Sequence, residues 1–256
     1  MMIASERFEK IVQLVNEQGI VGTRELAQLL AVTETTIRRD TEELERQGKL
    51  IRVHGGAKRI GQRQILSSRD EKSMADRVEN EAAKDLVCQK AASFVNSGDC
   101  IFLDGGTSIA PMVRYLAGKN VKIVTHSLLV AGAFKDRDSE LFTLGGKVIP
   151  EYSMTVGAVA LDNLAHFNFD YAFLGCAGVD LERQMVYTAE METMAIKQKA
   201  MELAVKNYLL VDASKLQVRG FYSFSPTAAF DALICNDDSS IDREILPDNA
   251  MLLEQK

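Results

Sequence analysis

The stretch Thr33-Glu-Thr-Thr-Ile-Arg-Arg-Asp-Thr-Glu-Glu-Leu-Glu-Arg-Gln-Gly-Lys-Leu-Ile-Arg-Val-His-Gly-Gly-Ala57 decides the fold of the N-terminal part of this chain. Thr33 is placed to cap a helix on which Ile37, Thr41 and Leu44 recur at helical spacing, and Gly48 is placed to stop it. Those inward positions leave Thr35, Thr36, Arg38 and Arg39 on the exposed arc of the N-terminal half, the part of a recognition helix that meets base edges. An arginine can grip guanine through two hydrogen bonds, and a threonine can bond a base or phosphate while its methyl rests on thymine. The Gly-Gly hairpin behind the helix has the form of a wing. Its Arg52 and His54, with Lys58 and Arg59 beyond, suit phosphates or the minor groove. The competing reading is a solvated helix whose Arg38 and Arg39 pair with Glu34, Glu42 or Glu43.

Working outward favours the nucleic-acid reading. Upstream, Phe8, Ile11, Val12 and Val15 repeat at spacings of three and four, with Ser5 as a cap and Gly19 as the end. Thr23 is placed to cap a second helix, Arg24–Leu30, with Leu26, Ala27 and Leu30 inward. The turn Leu30-Ala-Val-Thr33 is as short as a helix-turn-helix requires. Three capped helices, a tight turn and a Gly-Gly hairpin in series are hard to explain as a merely solvated helix.

At 256 residues the chain is long enough for two domains. Hydrophobic content of 46% with 26% charged residues excludes a disordered chain. No run approaches about 18 uninterrupted apolar residues, so no membrane partner is expected. The first residues carry no basic stretch followed by an apolar core, which argues against export and for the cytoplasm. Cys88, Cys100, Cys176 and Cys235 show no CxxC spacing; they read as buried free thiols, and neither a metal nor a cofactor is expected. The net charge of −6 hides an asymmetry: residues 1–60 hold 10 Lys and Arg against 9 Asp and Glu. DNA binding needs a positive face and not a positive protein.

Residues 58–77 are polar and charged and read as a linker with some helix. A helix is expected from Asn80 to Val95, and beyond Ser97-Gly-Asp99 the pattern becomes α/β. Strands are expected at Cys100–Asp104, Val121–Thr125, Glu140–Leu144, Asp170–Gly175, Tyr208–Asp212 and Ala232–Asn236, and helices at Thr107–Ala117, Ser127–Phe134 and Ala189–Val205. Continuous apolar strands between helices indicate a mainly parallel sheet covered on both faces. The first strand ends in Asp104-Gly-Gly-Thr-Ser108, where Gly105 and Gly106 permit a sharp turn and Thr107 and Ser108 bring hydroxyls beside backbone N–H groups. Together with a helix N-terminus such a turn suits a phosphate. Thr125-His126-Ser127, Gly145-Gly146 and Gly175 also lie at strand ends, so these loops can share one pocket. Tyr152 could stack on a sugar or simply pack its loop. His166, amid Leu164, Phe167 and Phe169, reads as structural.

The Thr-Ile-Arg-Arg-Asp core and the His-Gly-Gly-Ala end resemble the winged helix-turn-helix of DeoR-type bacterial transcriptional regulators. Thr41 departs from the leucine usual in that family. Asp104-Gly-Gly-Thr-Ser, Thr125-His-Ser, Leu144-Gly-Gly, Gly175-Cys-Ala-Gly-Val-Asp180 and Val211-Asp-Ala-Ser-Lys215 resemble that family's effector domain, a fold akin to ribose-5-phosphate isomerase. His126 departs from its usual asparagine. The resemblance implies a DNA-binding domain at 1–57, a linker at 58–77 and an effector-binding, oligomerising domain at 78–256. It implies a homo-oligomer on double-stranded operator DNA, repressing a sugar-catabolism operon and relieved by a phosphorylated sugar. Asp104 and Asp180 would accept sugar hydroxyls, Lys215 would balance phosphate charge, and Glu192 is a further candidate. The alternative is an active sugar-phosphate isomerase carrying a DNA-binding head. Against it, Asp180-Leu-Glu-Arg-Gln-Met-Val-Tyr187 lacks the lysine and glycines of the isomerase's Lys-Gly-Gly-Gly segment, so no residue is assigned a catalytic role.

Overall fold

The computed structural model describes residues 3–18, 20–47, 49–53, 55–59, 63–66, 80–239 and 241–254. The chain forms two compact units, Met1–Arg63 and Gln64–Lys256. The first contains α1 (Ala4–Gln18), β1 (Ile20–Gly22), α2 (Thr23–Leu29), α3 (Glu34–Arg46), β2 (Leu50–Val53) and β3 (Gly56–Arg59). Its strands form an antiparallel sheet in the order β1-β3-β2. Ile11, Val15, Leu26, Leu30, Ile37, Leu44 and Leu50 close one core, and each such side chain contributes on the order of 1.5–3 kcal/mol by leaving water. Gly56 permits the close approach of β1 and β3, since a Cβ there would stand 2.3 Å from the Val21 carbonyl oxygen.

Two expected caps are corrected. Gly22, not Thr23, holds the N-cap of α2, and Thr23 is the first helical residue. Ser5 lies inside α1, which begins at Ala4. Thr33 caps α3 as expected, its Oγ1 accepting from the Thr36 amide at 3.2 Å. Thr41 is buried where an apolar residue would be ordinary; its hydroxyl donates to the Arg38 carbonyl at 3.1 Å, so the polar group is satisfied within the helix. The expected stops at Gly19 and Gly48 lie outside the described residues. Within the stretch read as a linker, β3 continues to Arg59, and β4 (Arg63–Leu66) pairs with the strand Val218–Gly220. The remainder of that stretch is outside the described residues.

The second unit continues with α4 (Glu81–Ala92), β5 (Cys100–Leu103), α5 (Val113–Leu116), β6 (Lys122–Thr125), α6 (Leu128–Ala133), β7 (Glu140–Thr143), β8 (Lys147–Ile149) and β9 (Met154–Val156). Then follow α7 (Ala158–Leu164), β10 (Phe169–Leu174), β11 (Gly178–Asp180), β12 (Met185–Thr188), α8 (Met191–Leu203), β13 (Ala204–Val211), β14 (Val218–Gly220), β15 (Tyr222–Pro226), β16 (Ala232–Asn236) and β17 (Ala250–Leu253). Seven strands form a parallel sheet in the order β17-β16-β13-β10-β5-β6-β7. Its inner strands are apolar on both faces because both are covered. Phe102, Val124, Leu174 and Leu209 pack in the cluster that includes Ala160 and Leu164 of α7 and Ile196 and Ala200 of α8. Ile101, Leu103, Ile123 and Leu210 pack in the one that includes Val87, Cys88 and Ala91 of α4.

All six expected strands fall in this sheet, within a few residues of their expected limits. The helix expected at Thr107–Ala117 does not form as one piece: a turn leads into a 3₁₀ segment, Ala110–Met112, and the short α5. Pro111 explains the break, because it has no N–H to donate back to the Thr107 carbonyl. A second, antiparallel sheet, β11-β12-β15, covers the region after Gly175.

Candidate functional site

On the first unit, Thr35, Arg38 and Arg39 are exposed and Thr36 is half-buried. Arg38 lies 3.5 Å from Glu34, an exposed pair one helical turn apart, worth only about 0.3–0.5 kcal/mol and readily exchanged for a stronger anion. Neither Arg39 nor Arg24 on α2 makes an ion pair among the described residues. Arg52 leans back on α3, its guanidinium 3.9 Å from Glu42 and 4.0 Å from Glu45 and its amide donating to Glu45 at 2.7 Å. Lys58 is half-buried on β3. His54 lies outside the described residues. The Thr33 hydroxyl, engaged in capping, also lies 2.9 Å from that of Thr36.

Sequence reading missed what aims this helix. Asp40, the last residue of the Arg-Arg-Asp run, is buried and takes a two-point grip from Arg7 of α1, with Nη2 3.0 Å from Oδ1 and Nε on Oδ2. The Asp40 bond raises the Arg7 guanidinium above its ordinary value. The same run thus holds two outward arginines and an inward carboxylate that fixes their helix.

In the second unit, Asp104 stands at the carboxyl end of β5 and is wholly buried. One oxygen lies 3.0 Å from His126 Nε2; the other accepts from the Gly175 amide at 2.8 Å and from the Lys197 ammonium. Lys197, on α8, also donates to the Gly175 carbonyl at 3.0 Å. Burial alone would raise the Asp104 carboxyl, but the Lys197 charge and the His126 bond overcome it and hold Asp104 well below the usual carboxylate range. His126 Nδ1 lies 3.1 Å from the Thr155 carbonyl, and its Nε2 also lies 3.2 Å from the Gly105 amide. Asp104 therefore binds three strand ends together, and neither oxygen stands open.

Other expected site residues are likewise engaged. Thr125 donates to the Leu103 carbonyl at 2.6 Å and accepts from the Ser127 amide; Ser127 caps α6. Asp180 is bonded to Arg219 and to the Arg183 amide, which hold its carboxyl low against the opposing effect of burial. Gly105 leaves room for Met154, and Gly106 adopts φ +108°, a backbone glycine tolerates. Tyr152 is buried in its loop. Gly145 and Gly146 are exposed, with the Gly145 amide on Asn163, and Glu192 is paired with Lys147 at 3.0 Å. His166 is exposed and not packed as expected.

Two adjacent hydroxyls each accept from an ammonium group. Lys215 donates to Ser108 Oγ at 2.8 Å and to the Cys176 carbonyl at 3.2 Å, with a quarter of its side chain exposed. Lys84, from α4, donates to Thr107 Oγ1 at 3.0 Å. Sequence reading missed both Lys84 and Lys197, because a lysine on a mixed helix carries no signal that it is buried. Thr107, Lys84, Arg114, Pro111 and Leu129 line a cleft of about 750 Å³. Loss of solvent pushes the Cys176 thiol up to about 11. Among the described residues no group of three or more His, Cys, Asp or Glu could hold a metal ion, and no helix is long and apolar enough to cross a membrane.

Comparison with known proteins accounts for both halves. Residues 7–63 match the DeoR-like helix-turn-helix domain, and residues 79–237 match the DeoR C terminal sensor domain. An uncharacterized HTH-type transcriptional regulator of Bacillus subtilis, FruR, is 33% identical over 240 residues, 93% of this chain and 92% of its own. The lactose phosphotransferase system repressor of Streptococcus mutans is 30% identical over 247 residues, 94% of this chain and 96% of the relative. Among solved structures, ribose 5-phosphate isomerase A from Methanocaldococcus jannaschii aligns over 54% of this chain and 55% of its own at 22% identity, with a TM-score of 0.39.

Proposed function

This chain belongs to the DeoR family of helix-turn-helix transcriptional regulators with a C-terminal sensor domain, and we propose that it represses a sugar-catabolism operon until a phosphorylated sugar binds that domain. One observation supports the sugar-phosphate part: the adjacent hydroxyls of Thr107 and Ser108 each take an ammonium group, Lys84 on the first and Lys215 on the second. A phosphate there would bring anionic oxygens to two ammonium groups, of which Lys215 already stands 4.0 Å from the Asp212 carboxylate. Asp104, Thr125, His126 and Ser127 are the frame of the loop in this reading, with Gly145, Gly146, Gly175, Asp180 and Glu192 the outer candidates for the sugar. The name of the streptococcal relative supports both repression and a sugar-linked regulon.

We assign operator contact to residues 1–57, with Thr35, Arg38 and Arg39 toward bases and Arg52, His54 and Lys58 toward phosphates. Residues 78–256 are assigned effector binding and assembly, on a sheet we take, from its strand-end motifs, to be of the ribose-5-phosphate isomerase type. The sensor reading is preferred to catalysis because Asp180–Tyr187 carries neither the lysine nor the glycines that such proton transfer uses. The protein then works in the cytoplasm on the nucleoid.

The test is fluorescence anisotropy on operator fragments from beside the neighbouring operon, with a panel of sugar phosphates. Arg38→Ala and Arg39→Ala should each lose specific binding while remaining folded; unchanged operator affinity in both would show that α3 is misread. Lys215→Ala should bind operator normally and ignore the sugar phosphate that releases the parent protein. A full response in that variant would place the pocket elsewhere.

A further inference from the structure

Two points of the chain that flank residues 67–79 are fastened to one short segment of the second unit, Asp212–Gly220, and Lys215 stands inside that segment. On the N-terminal side, β4 pairs with β14, which begins three residues after Lys215. Gly178 seats β14 closely, since a Cβ there would stand 2.3 Å from the Val218 carbonyl oxygen. On the C-terminal side, Asn80 opens α4, and its side-chain amide donates to Asp212 Oδ1 and to Ser214 Oγ, each at 3.0 Å. Asn80 takes φ +58°, a left-handed conformation that asparagine accepts more readily than most residues, and it makes no side-chain capping bond to its own helix.

This tie roots both ammonium groups of the proposed phosphate site. The Asn80 carbonyl accepts from the Lys84 amide at 3.0 Å, and the Asp212 carbonyl accepts from the Lys215 amide at 2.9 Å, so each lysine is one backbone turn from it. Asp212 is buried, and its Oδ2 has no hydrogen-bond partner among the described residues. Lys215 Nζ stands 4.0 Å from that oxygen, held instead by Ser108 and the Cys176 carbonyl. A buried carboxylate oxygen left unbonded is costly, so it leans on that neighbouring charge. We propose that the Asn80–Asp212–Ser214 tie is the coupling element of the sensor domain: it tightens when a phosphate claims the Lys215 charge, and it passes the change to the chain at Asn80 and β4. The proposal rests on the sugar-phosphate reading of Lys84 and Lys215. An anion at Thr107 and Ser108 competes with Asp212 for one ammonium, and Asp212 is then left to the Asn80 amide and the Ser214 hydroxyl. The covalent route from the first unit into α4 runs through β4 and Asn80, so a change at the tie acts on that route without any ligand contact to the first unit.

Glycine keeps the left-handed backbone and removes the amide, which makes Asn80→Gly the test variant. The probes are inorganic phosphate and a panel of pentose and hexose phosphates, all on the full chain. Asn80→Gly should keep its calorimetric affinity for the sugar phosphate the parent protein prefers, and its affinity for free operator. In the parent protein that sugar phosphate should weaken operator binding about 5–150-fold, and in Asn80→Gly less than about twofold. Saturating inorganic phosphate should slow exchange of the Gln64–Leu66 amides about tenfold in the parent protein and leave it unchanged in Asn80→Gly. Release by the parent's factor in Asn80→Gly, or Gln64–Leu66 exchange indifferent to bound phosphate, would overturn the coupling. Lys215→Ala keeps that failure apart from failure of the reading beneath it, because phosphate binding that survives in Lys215→Ala overturns the site itself. If Asn80→Gly fails to fold, Ser214→Ala removes one partner of the same amide and should also lower the release factor; an unchanged factor there would overturn the proposal.

Discussion

At the level of single residues, Asp104 is more informative as a strut than as a ligand contact. Asp104-Gly-Gly-Thr-Ser advertises a binding loop, yet the carboxylate is consumed by His126, Gly175 and Lys197. The sequence could not disclose this, since Lys197 lies far along the chain on a helix that reads as mixed surface. Removing one member of a buried ion pair leaves the other charged and unpaired, at a cost of about 3–5 kcal/mol. Asp104→Asn should therefore lower the unfolding free energy by about that amount, and Asp104→Asn with Lys197→Met should recover much of it. The pH dependence follows from the depressed carboxyl. Its contribution is fully present above the unfolded-state value of about 3.9 and is lost as pH falls toward the lower folded value. Urea unfolding should show a constant gap between parent and Asp104→Asn from pH 5 to 8, closing only in stronger acid. A gap that instead widened on acidification would show that Asp104 is not the anion of this pair.

Among the elements, α3 shows how far sequence chemistry reaches. Its cap, inward stripe and exposed arginines were all legible, because each depends on residues within one or two helical turns. Its anchor was not: the Arg7–Asp40 pair joins residues brought together only by the packing of α1 on α3. Six of the seven strands of the large sheet were equally legible, the inner ones being short apolar runs buried on both faces; the half-buried outer strand β17 was not. The small sheet and the broken helix after Thr107 were not, since short half-polar strands have no distinctive period and a single proline decided the helix. A capping threonine is worth about 1 kcal/mol, so Thr33→Ala should destabilise the first unit by that amount. Because the same residue fixes the helix start beneath Thr35 and Thr36, operator affinity in Thr33→Ala should fall while Arg46→Ala, exposed in the last turn beside Glu43, leaves it unchanged. Calorimetry and anisotropy on both variants check this; equal operator affinities would separate the cap from the reading face.

For the whole molecule, the proposed function requires that a metabolite at the ends of β5 and β13 change the affinity of a helix in the other unit. Acidic charge is concentrated in residues 61–256, with 27 Asp and Glu against 20 Lys and Arg, so the DNA-facing potential belongs to a small surface of the first unit. The ligand need not touch that surface. It must only bind the operator-bound and operator-free states unequally, since a ligand of equal affinity for both shifts nothing. Such coupling is reciprocal: if the sugar phosphate weakens operator binding by some factor, the operator must weaken sugar-phosphate binding by the same factor, typically 5–150-fold or about 1–3 kcal/mol. Calorimetric titration of the effective sugar phosphate into free protein and into the operator complex should give dissociation constants differing by the factor measured from the DNA side. Lys215→Ala should remove the calorimetric signal in both while leaving the operator constant alone. Equal sugar-phosphate affinities in the two titrations would mean that the metabolite does not act through the two-state switch, however tightly it binds.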